Sequence, residues 1–82
     1  MTLTQDQILW RCRRGMLELD YLLGSYARYN LNTMDTEQRD LFLQLLDYPD
    51  QTLLEVLMGR QPGGSDQITQ LAKEIRHAAA RT

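Results

Sequence analysis

The chain is poor in the residues on which metal centres and nucleophilic catalysis depend. It has one cysteine, Cys12, and one histidine, His77, at opposite ends of 82 residues. A lone cysteine cannot close an internal disulfide, which fits a reducing compartment. The two residues cannot supply the four close N/S ligands of a structural zinc site. Nor does any motif pair them with a nucleophile or base. His77 reads as a favourable charge near the end of a last helix, and Cys12 as a small core residue. Gly63-Gly64 precedes a helical stretch but lacks the lysine of a phosphate-binding loop. No catalytic, metal or tight cofactor site is therefore expected.

Long apolar runs are also missing. None approaches the ~20 residues that span a bilayer, and Met1 to Gln7 is too polar for a secretory leader. The expectation is a cytoplasmic, full-length product without membrane insertion. Neither charge dominates: nine Lys and Arg stand against eleven Asp and Glu, a net charge of −2. A weakly acidic chain is a poor partner for nucleic-acid phosphates. β-Branched residues are few, while Leu, Gln, Arg, Glu and Ala are common, which favours helix over strand. The length allows one domain, 1–82, with a thin core.

The expected fold class is all-α, a small bundle of five helices. The first runs from Gln5 to Arg13 behind a Thr4 cap, with Ile8, Leu9 and Cys12 as its stripe. Trp10 lies off that stripe and is expected to close the edge of the core. Gly15 separates a second helix, Met16 to Asn30. On a wheel of 100° per residue, Met16, Leu19, Leu22, Leu23, Tyr26, Ala27 and Tyr29 share one arc. Leu17, Tyr21, Gly24 and Arg28 fall on the other side. Two large apolar residues there are either ordinary surface scatter or an interaction face, and Gly24 would let a partner approach closely. Leu31 to Met34 reads as a turn.

Asp35 with Gln38 forms a capping box for a third helix, carrying Leu41, Phe42, Leu45 and Leu46 and stopped by Pro49. Asp50 is expected to cap a fourth helix, with Leu53, Leu54, Leu57 and Met58 inside and Gly59 at its end. Ser65 caps a fifth, whose stripe is Ile68, Leu71, Ala72, Ile75 and Ala79. The connections are short, so neighbouring helices are expected to pack antiparallel.

The polar concentration around Gly15 is Arg11, Arg13, Arg14, Glu18 and Asp20. A continuous helix would make Arg14 and Glu18 an i, i+4 pair contributing a few tenths of a kcal/mol. A break at Gly15 would instead place Glu18 in a first turn, where the helix dipole favours a carboxylate. The glycine would leave the backbone bare at the corner. On the residues alone this is either a solvated charged corner or a binding site.

The run Trp10-Arg11-Cys12-Arg13-Arg14-Gly15-Met16-Leu17-Glu18-Leu19-Asp20 resembles the signature of the succinate dehydrogenase assembly factor family, the flavinylation factors of bacteria and mitochondria. The family's Arg-Gly-x-x-Glu matches Arg14, Gly15 and Glu18. The likeness continues through Phe42-x-x-Leu45-Leu46 and Asp50-x-x-Leu53 to Leu57-Met58, and covers most of residues 8 to 76. Two departures lie in the C-terminal half: many members carry an aromatic near Val56, and the loop Gln61 to Ser65 is longer and richer in glycine.

The resemblance implies a five-helix bundle that binds the flavoprotein subunit of succinate dehydrogenase, with fumarate reductase as a second candidate client. It implies that this binding promotes covalent FAD attachment to a histidine of the flavoprotein, which performs the chemistry itself. The implied contact residues are Arg14 and Glu18, projecting from an exposed corner, with Gly15, Leu17, Tyr21, Asp20 and Arg11 around them. FAD then belongs to the partner, and the factor is a monomer or weak dimer. The competing readings are an antitoxin-type or DNA-binding regulator, supported only by the basic run Arg11 to Arg14, a small enzyme, and a structural subunit of a larger complex.

Overall fold

Helix boundaries follow from local chemistry. In a computed structural model that describes residues 4–80, five α-helices are joined by short turns: α1 Gln5–Arg11, α2 Leu17–Asn30, α3 Thr36–Leu46, α4 Asp50–Leu57 and α5 Asp66–Ala80. No strand occurs among the described residues. Met1 to Leu3, part of the stretch read as non-secretory, lie outside them.

Thr4 caps α1 through a reciprocal box. Its hydroxyl accepts from the Gln7 amide, and the Gln7 side chain accepts from the Thr4 amide at 2.9 Å. Asp35 and Gln38 do the same for α3. Each box satisfies two amides that a helix start otherwise leaves open. Ser65 Oγ accepts from Ile68 N at 3.2 Å at the start of α5. The cap of α4 differs from expectation: Pro49 occupies it and Asp50 is the first helical residue. The fixed φ of proline already suits the entry to a helix, so the aspartate is released for another contact. Leu31–Thr33 forms a single 3-10 turn rather than an open loop.

One core joins all five helices. Ile8, Cys12, Leu19, Leu23, Phe42, Leu45, Leu53, Leu57 and Ile75 are fully or almost fully buried in it. Burying each large aliphatic side chain contributes about 1.5–3 kcal/mol. The last helix is the hub: α5 lies against α2, α3 and α4, while α1 lies on α2. Packing is thus not mainly between sequence neighbours. The turn 47–49 between α3 and α4 is too short to swing back, and both helices find their main partner in α5. Tyr26 meets Phe42 with ring centroids 6.0 Å apart and tilted by 40°.

Two expected core residues are outside. Trp10 is 70% exposed, because α1 buries Ile8 and Cys12 against α2 and turns Trp10 away. Tyr29 stands at the margin of the α2 arc and is also exposed. Val56, where the family often has an aromatic, is buried. That departure therefore alters core packing rather than a surface. The glycine-rich loop is tied down, with the Gly64 amide donating to Tyr48 Oη at 2.8 Å and Gly63 N to Thr69 Oγ1 at 2.9 Å.

Candidate functional site: the corner between the first two helices

Gly15 breaks the helix. Cys12 closes α1, Gly15 takes a φ of +81°, and α2 opens at Leu17. A left-handed φ strains any residue with a Cβ. Among the described residues, apart from its two chain neighbours, nothing lies within 4 Å of where that Cβ would be at Gly15, so the backbone is open there. Glu18 accordingly falls in the first turn of α2, with Asp20. The helix dipole favours both carboxylates there.

The corner residues divide into two groups. Glu18 is exposed, and among the described residues no hydrogen bond or ion pair engages it. Leu17 beside it is 88% exposed, and Tyr21, one turn on, is half exposed. These three, with Gly15, present a carboxylate, two apolar groups and bare backbone on one outer surface.

Arg14, Asp20 and Arg11 face the other way. The Arg14 side chain is only 15% exposed. Its Nη2 donates to Leu46 O at 2.5 Å and Tyr48 O at 2.9 Å, and its Nη1 to Arg11 O at 3.4 Å. Its Nε lies 3.1 Å from Asp50 Oδ1, but is not aligned for a hydrogen bond. The Arg14 amide donates to Asp20 Oδ1 at 2.6 Å. Arg11 pairs with Asp47 at 2.5 Å. The expectation that Arg14 projects beside Glu18 is thus corrected. Carbonyls at helix C-termini lack intrahelical partners and carry partial negative charge, and the guanidinium folds back onto them.

Cys12 lies beneath this corner, its Sγ donating to Ile8 O at 3.4 Å. Burial pushes its thiol pKa up to about 11, against the lowering effect of Arg14 and Arg11. Such a thiol stays protonated and unreactive at neutral pH. His77 is exposed in the last turn of α5. Among the described residues no three His, Cys, Asp or Glu side chains are grouped to hold a metal, and no helix is long and apolar enough to cross a membrane.

Sequence reasoning missed the flank of the corner. The Arg13 guanidinium stands 5.4 Å from the Trp10 ring centroid, a cation–π contact. Both line a groove of ≈ 470 Å³ between α1 and α2, with Asp20, Gly24 and Arg28 on its α2 side. The readable signal was the position of Trp10 off the α1 stripe.

Comparison with known proteins relates the whole chain to one family. A family model described as "Flavinator of succinate dehydrogenase" matches residues 6–79. The chain is similar to the "FAD assembly factor SdhE" of Coxiella burnetii, at 33% identity over 78 residues and 95% of each chain. It is 36% identical to the protein of that name from Methylococcus capsulatus, over 88% of this chain and 87% of the relative. With its counterpart from Shewanella oneidensis it shares 31% identity over 90% of each. With five helices around one core and a family-model match along nearly its whole length, this chain belongs to the family of flavinators of succinate dehydrogenase.

Proposed function

We propose that this protein binds the flavoprotein subunit of succinate dehydrogenase through the α1–α2 corner and promotes covalent attachment of FAD to that subunit. Gly15, Leu17, Glu18 and Tyr21 meet the partner, while Arg14, Asp20 and Arg11 hold the corner in shape. The observation that carries the reading is Glu18: an exposed carboxylate with no hydrogen bond or ion pair among the described residues, in the Arg-Gly-x-x-Glu pattern of the resemblance, beside a Leu17 that is 88% exposed. Apolar side chains beside an unpaired charge suit a docking surface better than a solvated one.

The protein acts by positioning rather than by chemistry of its own. Cys12 is buried and protonated, and the lone His77 is far along the chain on α5. Binding that aligns the acceptor histidine of the flavoprotein with the flavin can lower a barrier by several kcal/mol through orientation alone, within the ~7–11 kcal/mol that proximity can provide. FAD then stays with the partner, and fumarate reductase flavoprotein is a second client of the same corner. Co-purification tests this. Tagged wild-type protein is expected to retain the succinate dehydrogenase flavoprotein from cell extract, and a folded Glu18→Ala variant to lose it. Equal retention by both would refute the assignment.

A further inference from the structure

Arg14 is the motif residue whose side chain is turned into the fold. Four helices converge on it. Its guanidinium donates to Arg11 O in the last turn of α1 and to Leu46 O at the end of α3. The same nitrogen that reaches Leu46 O also reaches Tyr48 O, in the turn before α4. Its Nε faces Asp50 in the first turn of α4. Its amide reaches Asp20 in the first turn of α2. Arg11 and Asp47 add a second tie between the same two turns.

We infer that Arg14 is a positioning residue: it fastens the Gly15–Glu18 corner to the α3–α4 turn and acts on the partner only through that corner. The assignment rests on the docking reading above. A partner carboxylate would have to reach a side chain 15% exposed and displace carbonyl acceptors already in place. Displacing them would leave Leu46 O, at the end of α3, and Tyr48 O, in the turn after it, without this donor, which is costly for buried groups. The fork of five N–H donors explains why the residue is arginine. A lysine ammonium keeps the charge but cannot span carbonyls of two helices and a carboxylate of a third. The α3–α4 turn, 32 to 36 residues away in sequence, thereby becomes part of what sets partner recognition.

Calorimetric titration of the succinate dehydrogenase flavoprotein subunit tests this. Wild type, Arg14→Lys, Asp50→Asn, the double variant and Glu18→Gln are compared well below their unfolding temperatures, with amide NMR spectra of each free protein. Arg14→Lys is expected to weaken binding about tenfold despite its retained charge, and Asp50→Asn about threefold. The double variant should bind no more weakly than Arg14→Lys, because both changes cut one linkage. In each free variant the Gly15 and Glu18 amide resonances should move. Wild-type affinity in Arg14→Lys, additive losses in the double variant, or lost affinity with unmoved resonances would each overturn the inference. Wild-type affinity in Glu18→Gln would instead refute the docking reading on which it rests.

Discussion

Two corners of this molecule are built alike and finished differently. Gly15 and Gly59 both take a positive φ just after a helix, 81° and 79°. Beside each, an arginine donates to carbonyls at a helix end: Arg14 to Leu46 O and Tyr48 O, Arg76 to Leu57 O. At Gly59 the space is taken. A Cβ there would stand 2.7 Å from Arg76 Nη1. At Gly15 it would meet nothing within 4 Å among the described residues beyond its chain neighbours, and Leu17 and Glu18, which follow, are exposed. The first corner is closed by the protein's own side chain. The second is held from beneath and left open above, as the proposed docking role requires.

The difference predicts opposite profiles for one substitution. Gly59→Ala strains the left-handed φ and pushes Arg76 from Leu57 O. It should cost about 2 kcal/mol and lower Tm by about 10 °C in calorimetry, with binding of the folded protein to the flavoprotein unchanged. Gly15→Ala meets only the φ strain. It should cost about 1 kcal/mol, or about 5 °C, yet weaken binding, since the bent backbone presents Glu18. Equal Tm losses, or a binding defect from Gly59→Ala alone, would break the comparison.

A smaller effect concerns Cys12 beneath the open corner. Burial raises its pKa in the folded protein to about 11, above the ordinary 9.0 of a thiol, so folding favours the protonated form. The resulting stability is intact below pH 9 and is lost as pH rises from there through about 11. Denaturant unfolding from pH 8 to 11 should show this decline, and Cys12→Ala should flatten it after allowance for tyrosine titration. A slope unchanged by the substitution would place its cause elsewhere.

Much of the fold was legible because it rests on local chemistry. The Thr4 and Asp35 caps, the stop at Gly59 and the stripes of α2 and α5 are all set within a turn or two of sequence. Trp10 and Tyr29 fall outside the expected core because a helical wheel gives direction, not neighbours, whereas Asp50 yields the cap of α4 to the preset φ of Pro49. Whether the margin of an arc is covered depends on which helix arrives, and α5 crosses α2 where Tyr26 can reach Glu74, leaving Tyr29 outside. At the site, exposure of Leu17 and Tyr21 is readable from their place opposite the core arc, and that of Glu18 only from the resemblance. The inward turn of Arg14 is not, because its acceptors lie more than thirty residues away on α3 and the following turn.

In-gel flavin fluorescence of the succinate dehydrogenase flavoprotein tests the central claim most directly, in cells lacking this protein and complemented with wild type or Glu18→Ala. The account predicts that covalent flavin falls without the protein, returns with wild type, and stays low with a folded Glu18→Ala variant. Fluorescence that is unchanged by deletion, or fully restored by Glu18→Ala, would contradict it.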